Sequence, residues 1–205
     1  MIQAVIFDLD GTIFDNEQLW EDAFEQVLKI SSEKWIHEPG LGIKDNLKRI
    51  IGTATTEQKV SEVVEKYHSL SSDLILREGT VELVQKIKDL GWQTALATGS
   101  FWHTVEAELE RLSMELAFDV TTTGEEVLLS KPDAEIYLLT AQKLNLEPAE
   151  IVVIEDAIAG VRAAAEAEMK VIGMVSEYAP AELLKSAGAF MTIENFSEIE
   201  PELLK

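Results

Sequence analysis

The chain has 205 residues, enough for one α/β core with an inserted segment. Its 38 acidic and 17 basic residues give a formal net charge of −21, which repels nucleic acid and anionic membranes. Cysteine is absent, so disulfides, thiolate metal sites and cysteine nucleophiles are excluded. Apolar runs fall short of the ~18 residues of a membrane helix, and the amino-terminal residues are typical of a buried strand. We expect a cytoplasmic monomer with no nucleic acid or membrane partner.

Short apolar runs alternate with amphipathic helical segments along most of the chain. The predicted strands are Ala4–Leu9, Gln93–Thr98, Phe118–Thr122, Ile151–Glu155, Val171–Val175 and Phe190–Ile193. The predicted helices between them are Val81–Leu90, Thr104–Leu112, Ala134–Leu144 and Ala157–Ala167. Such alternation predicts an α/β fold with a parallel sheet and right-handed crossovers.

The alternation breaks once, after the first strand. The following stretch has three helical patterns, Gln18–Ile30, Asp45–Ile51 and Glu57–Leu70, and no strong strand. We predict a helical cap over residues 16–77, inserted into a core formed by residues 1–15 and 78–205. Because ligands bind at the carboxyl edge of a parallel sheet, this cap would cover the site.

Acidic residues follow two of the predicted strands. Asp8 and Asp10 come directly after the first strand, and Gly11 lets the backbone turn there. Two carboxylates this close repel each other unless a cation lies between them, and Mg²⁺ accepts such oxygen ligands. Glu155 and Asp156 end another apolar strand and can complete a metal site with the first pair. The alternatives are a plain turn at Gly11 and a helix N-cap at Asp156.

Two further motifs can bind phosphate. Thr98, Gly99 and Ser100 end the second predicted strand, where a hydroxyl and open backbone can donate to phosphoryl oxygens. Lys131 and Pro132 come directly before a predicted helix, Asp133–Leu144. Because proline suits the first turn of a helix, we predict that the lysine lies at the positive end of this helix. Such a lysine supplies the local positive charge that an acidic chain needs to bind phosphate. A simple turn and a surface lysine are the alternatives.

Taken in order, these four motifs resemble those of the haloacid dehalogenase superfamily of phosphohydrolases. The resemblance spans nearly the whole chain and is strongest to the helical-capped subgroup that includes β-phosphoglucomutase and phosphoglycolate phosphatase. It implies a Rossmann-like three-layer core with a small α-helical cap inserted after the first strand. It also implies a Mg²⁺-dependent phosphatase whose substrate is a small phosphorylated metabolite, either a sugar phosphate or a phosphoglycolate-like acid.

The resemblance also implies roles for individual residues. Asp8 corresponds to the nucleophile that forms an aspartyl-phosphate, and Asp10 to the general acid and base. Thr98 and Lys131 correspond to the groups that hold the phosphoryl oxygens, with Gly99 and Ser100 beside them. The implied metal ligands are the Asp8 side chain, the Asp10 backbone carbonyl and Asp156, with Glu155 as a further ligand or as the partner of one.

The cap residues bear on the substrate and on the alternative functions. We predict that Trp20, Lys44 and Arg49 contact the substrate, although a core aromatic and a solvated helix face explain them equally simply. A phosphomutase is the alternative activity, but Pro39 and Ile43 lie where the mutase has basic residues for a second phosphate. A phosphoacceptor receiver module is disfavoured because such modules lack a helical insertion after the first strand.

Overall fold

Parallel strands form the central layer of the molecule. The computed structural model describes residues 1–31 and 38–200. In this part of the chain six strands pair in the order β3-β2-β1-β4-β5-β6. They are β1 (Ala4–Phe7), β2 (Gln93–Thr98), β3 (Val120–Thr123), β4 (Ile151–Glu155), β5 (Lys170–Met174) and β6 (Met191–Ile193).

Helices cover both faces of this sheet. The described helices are α1 (Glu17–Leu28), α2 (Ile43–Ile51), α3 (Glu57–Leu70), α4 (Thr80–Asp89), α5 (Trp102–Arg111), α6 (Glu135–Leu144), α7 (Ile158–Glu166) and α8 (Ala181–Ala187). None of them is long and apolar enough to cross a membrane.

The three layers follow from the alternation of side chains along β1. Successive side chains of a strand point to opposite faces, and all four positions of β1 are buried. Val5 and Phe7 pack in one hydrophobic cluster with residues of α4 and α5, whereas Ala4 and Ile6 pack in a second cluster with residues of α6 and α7. The predicted α/β three-layer fold is confirmed.

Strand register aligns the carboxyl ends that carry the motifs. Phe7 pairs with Leu96 of β2 on one side and with Ile154 of β4 on the other. The residues that follow therefore emerge at the same edge of the sheet. The chain order of the strands reverses between β1 and β4, and in open α/β sheets such a reversal leaves a crevice for ligands. Asp8 lies at this point.

The first three helices form a separate hydrophobic cluster above that edge. Trp20 and Phe24 of α1, Leu47 of α2, and Val63 and Tyr67 of α3 are buried against one another. The chain enters this group after β1 and returns to the sheet before α4. The boundaries at residues 16 and 77 stay a prediction, and the helical character of the insertion agrees with the observed elements.

Two features of the fold differ from the sequence analysis. Helix α8 has only seven residues and was not predicted. The predicted helix after Pro132 begins at Asp133, whereas α6 begins two residues later at Glu135, whose backbone N–H donates to the Asp133 carboxylate at 2.9 Å. Lys131 therefore precedes the helix by four residues and reaches the sheet edge from a loop.

Candidate active site

A buried lysine joins two carboxylates at the edge of the sheet. Lys131 Nζ lies 2.5 Å from Asp8 Oδ1 and 2.5 Å from Glu155 Oε1, and it also donates to the Ala97 carbonyl at 3.3 Å. Both carboxyl side chains and the lysine are almost completely buried. Residues that are far apart in sequence therefore meet at the ends of β1, β2 and β4.

Burial and charge oppose each other in this triad. Burial disfavours the charged ammonium, but Asp8 and Glu155 outweigh it and raise the pKa of Lys131 well above its usual value. Burial raises the pKa of Asp8, an effect that Lys131 opposes and Glu155 reinforces. Lys131 therefore stays charged, and it is the cation that allows a carboxylate to remain in this interior position.

Glu155 acts mainly as an anchor for the lysine. Its Oε1 accepts from Tyr137 at 3.1 Å as well as from Lys131, and its Oε2 accepts from the Ala157 backbone N–H at 2.7 Å. A Cβ on Gly160 would lie 1.7 Å from Oε1, so only glycine lets α7 approach this closely. Since both oxygens already accept hydrogen bonds, Glu155 fits the predicted role of partner better than that of ligand.

Asp156 offers an oxygen for a metal ion. Ligand atoms of Asp8, Glu155 and Asp156 all lie within 4.8 Å of one another. Asp156 Oδ1 accepts from the Thr12 hydroxyl at 2.8 Å, but its buried Oδ2 has no hydrogen-bond partner among the described residues. Burial, followed by the charge of Glu155, raises the pKa of Asp156. An orphaned buried oxygen among clustered carboxylates fits a hard divalent cation such as Mg²⁺.

The Gly11 backbone lies directly against this oxygen. Its φ of +76° is in the left-handed region, and a Cβ there would lie 2.1 Å from Asp156 Oδ2. Glycine is therefore required both by the turn and by the close approach to the candidate metal site.

The Asp10 carboxylate points away from this cluster and is held by four donors. Asn16 Nδ2 and Trp20 Nε1 donate to its Oδ1 at 2.7 and 2.8 Å. The Ser100 and Thr98 hydroxyls lie 2.7 and 3.4 Å from its Oδ2. The Ser100 hydroxyl thus orients Asp10, whereas the sequence analysis expected it to face the phosphate.

Two of these contacts belong to a network that the motifs do not contain. Asn16 Oδ1 accepts from the Gly11 backbone N–H at 2.8 Å, and Asn16 Nδ2 also donates to the Tyr67 hydroxyl at 2.7 Å. Tyr67 in turn donates to Glu108, a buried residue of α5. Two separate helices of the insertion and one core helix therefore meet beside Asp10.

Arg77 was also missed by the sequence analysis. Its guanidinium donates to the Gly11 carbonyl at 2.7 and 3.2 Å and lies 3.4 Å from the Asp15 carboxylate. It stands where the chain returns from the three helices to the sheet. Its place at residue 77, the predicted end of the cap, was the only available signal, because a lone arginine carries no motif.

Among the described residues, cavities lie between the three helices and the sheet edge, and two of them are lined by Gly99. The smaller, about 30 Å³, is also lined by Asp8, Asp10, Trp20 and Ser100 among others. The larger, about 320 Å³, is bordered by Lys44, Ser130 and Lys131. The first is large enough for a bound water molecule, which needs about 10–15 Å³.

The predicted substrate contacts of the cap differ in their placement. Trp20 faces Asp10, and Lys44 lines the larger cavity while pairing with Glu57. Arg49 pairs with Glu38 at 2.5 Å and lines neither cavity. A substrate contact by Arg49 stays a prediction.

Comparisons with known proteins agree with this geometry. The family profile of the haloacid dehalogenase-like hydrolases matches residues 2–168. The phosphorylated carbohydrates phosphatase of Thermotoga maritima is 29% identical over 204 residues, covering 94% of each chain. Hexitol phosphatase B of Escherichia coli is 30% identical over 184 residues, covering 83% of this chain and 82% of that protein.

A solved structure shares the fold over nearly the whole length. It is CbbY from Rhodobacter sphaeroides in complex with xylulose-1,5-bisphosphate, with a TM-score of 0.83 and 26% sequence identity. The match covers 97% of this chain and 96% of that one.

Replacing the buried lysine tests how the triad is held. Lys131→Met leaves Asp8 and Glu155 buried without their cation, so we expect a loss of about 3–5 kcal/mol in the free energy of unfolding. Urea denaturation in metal-free buffer measures it. The matched control is Lys143→Met, which removes a partly exposed pair with Glu126 and costs less than about 1 kcal/mol. Equal losses of unfolding free energy in the two variants would contradict the role of Lys131 as the buried cation of the triad.

Glu108 makes stability depend on pH. Its pKa is raised from 4.5 to about 8, mainly by burial and also by the charge of Asp10, which together outweigh the lowering by Tyr67 and Arg111. Between these values the folded state holds a proton that the unfolded state has released, so stability falls as pH rises through this window. Relative to Glu108→Gln, the wild type should lose up to about 1.4 kcal/mol per pH unit there.

Urea denaturation at several values between pH 5 and pH 8 measures this difference. The exposed Glu106 on the same helix provides the control, since Glu106→Gln should leave the pH profile of stability unchanged. A profile of Glu108→Gln parallel to that of the wild type would refute the account.

Proposed function

The chain belongs to the haloacid dehalogenase-like hydrolases and is a phosphatase, and we propose that it hydrolyses a phosphorylated carbohydrate by Mg²⁺-dependent nucleophilic attack of Asp8. One observation carries the proposal. The Asp8 carboxylate lies at the strand-order reversal, in contact with a buried lysine and beside the orphaned oxygen of Asp156. This geometry supports the proposal, because the proposed nucleophile, a buried cation and a candidate metal ligand lie close together.

The first step transfers the phosphoryl group to the enzyme. An oxygen of Asp8 attacks phosphorus, and the bond from phosphorus to the alcohol oxygen of the substrate breaks. Lys131, held by Glu155, is placed to neutralise the equatorial phosphoryl oxygens, and Thr98 lies on the neighbouring strand end as a further donor. Without such local cations, a chain of net charge −21 would repel the substrate.

The second step returns the enzyme to its starting state. Asp10, which gave its proton to the departing alcohol in the first step, now takes a proton from a water molecule, which attacks phosphorus and releases phosphate from Asp8. The four donors around the Asp10 carboxylate hold it in one orientation for both proton transfers.

The residues present fit a divalent cation. Asp8, the Asp10 backbone carbonyl and Asp156 would hold Mg²⁺, which supplies charge neutralisation at the phosphoryl oxygens when it is bound. Glu155 contributes by holding Lys131 in place, and Thr12 by fixing the other oxygen of Asp156.

The substrate class rests on the relatives and on the cap. Two relatives are named for phosphorylated carbohydrates and hexitols, and the larger cavity offers polar groups from Lys44 and Ser130. Hydrolysis is favoured over a mutase reaction. Pro39 and Ile43 give no charge for gripping a second phosphate, which a mutase must hold.

Removing the nucleophile tests the mechanism. Asp8→Asn should lower phosphate release from a panel of sugar and sugar-alcohol phosphates at least ~10³-fold, since the amide is a poor nucleophile. A colorimetric phosphate assay measures the rates. Asp89→Asn, at an exposed position at the end of α4, should retain wild-type rates. Full activity in Asp8→Asn would exclude the proposed nucleophile.

Metal binding is tested without relying on turnover. At a Mg²⁺ concentration of 100 Kd, binding should add about 2.7 kcal/mol to stability, seen as a rise in melting temperature. Asp156→Asn should lose most of this rise, whereas Asp89→Asn should keep it. If Asp156→Asn responds to Mg²⁺ as the wild type does, Asp156 is not a ligand.

A further inference from the structure

We propose that Tyr67 and Glu108 are positioning residues for Asp10, and that they make its orientation depend on contact between the inserted helices and the core. The inference rests on the proposed function, because that function gives Asp10 its role in proton transfer. Tyr67 belongs to α3 and Glu108 to α5, and neither lies in the four sequence motifs.

The oxygen and the nitrogen of the Asn16 side-chain amide both form hydrogen bonds in this network. Its carbonyl oxygen accepts from the Gly11 N–H at 2.8 Å, which fixes which end of the amide is oxygen. Its two amide hydrogens are then available for the contacts at 2.7 Å with Asp10 and with the Tyr67 hydroxyl. Losing the Tyr67 acceptor would leave one buried hydrogen without a partner, at a position that contacts Asp10.

The Tyr67 hydroxyl can donate one hydrogen bond, and its acceptor is Glu108. Since the hydroxyl accepts from Asn16, it is oriented to donate in the opposite direction, towards Glu108 Oε1. That oxygen keeps a lone pair whether the carboxyl group is charged or neutral. The essential property of Glu108 is therefore an acceptor oxygen at this point, and not its charge.

Tyr67 also holds the second donor to the same oxygen of Asp10. Its ring stacks on Trp20 with ring centroids 3.7 Å apart and an angle of 4° between the planes. Trp20 Nε1 donates to Asp10 Oδ1 at 2.8 Å. Both donors on Oδ1 are thus placed by Tyr67, one through its hydroxyl and the other through its ring.

Glu108 connects this arrangement to the core. Its helix α5 packs on the sheet, whereas Tyr67 and Trp20 belong to the cluster of inserted helices. If the inserted helices move away from α5, the Tyr67–Glu108 hydrogen bond breaks and both donors lose their support. Asp10 then keeps only the core hydroxyls of Thr98 and Ser100 on its Oδ2, so both of its oxygens are held only while the inserted helices cover the site.

The test compares variants that remove or keep the acceptor. Tyr67→Phe retains the ring stack but removes the hydroxyl, and Glu108→Leu removes the acceptor. Both substitutions should lower kcat for phosphate release about tenfold, because a misaligned Asp10 loses part of the rate gain from proton transfer. KM should change less than about twofold. Glu108→Gln keeps an acceptor oxygen and should retain kcat within about twofold, as should the control Glu106→Gln.

A second measurement reports the geometry without turnover. The indole N–H signal of Trp20 in an ¹⁵N-correlated NMR spectrum, assigned with Trp20→Phe, reports its hydrogen bond to Asp10. It should shift in Tyr67→Phe and Glu108→Leu and stay in place in Glu108→Gln and Glu106→Gln.

Two results would overturn the inference. One is an unchanged kcat and indole signal in Tyr67→Phe, and the other is equal damage by Glu108→Gln and Glu108→Leu. A wild-type protein that hydrolyses no ester would instead overturn the proposed function, and the indole signal would still decide whether Tyr67 and Glu108 position Trp20.

Discussion

A single buried ammonium group between two carboxylates holds the site together. Lys131 contacts Asp8 and Glu155 at the ends of two neighbouring strands, in an interior that excludes water. Taking any one of these charges out of water is costly, so each is tolerated only because the others are present. The loop before α6, the end of β1 and the end of β4 are therefore constrained by one another, and the remaining site residues are arranged around them.

The fold could be predicted because its signals are local and repeated. The predicted bounds of the strand Ile151–Glu155, apolar up to its last residue, and of the amphipathic helix Glu57–Leu70 are those observed. The parallel register then places Asp8, Thr98 and Asp156 at one edge without any knowledge of side-chain conformations. Helix α8 was not predicted because seven residues show too little periodicity to be recognised.

The parts of the site that sequence reasoning missed depend on packing. Asn16, Tyr67 and Glu108 become neighbours only when two helices of the insertion settle against α5, a geometry that no spacing in the chain encodes. The difference of two residues at the start of α6 has a similar origin. Proline suits a first turn, but the Asp133 side chain accepts the N–H of Glu135, where the observed helix begins.

The small cavity beside Asp8 has an energetic consequence. With a volume of about 30 Å³ it is smaller than a sugar phosphate, so a bound substrate must extend into the neighbouring cavity of about 320 Å³ or displace the inserted helices. Where the helices must move, only the fraction of molecules in an open form can bind, and the apparent affinity is reduced by that fraction. Contacts that strengthen the covered form would therefore weaken substrate capture while they improve the alignment of Asp10. Selection on this enzyme would act on the balance between access of the substrate and alignment of Asp10.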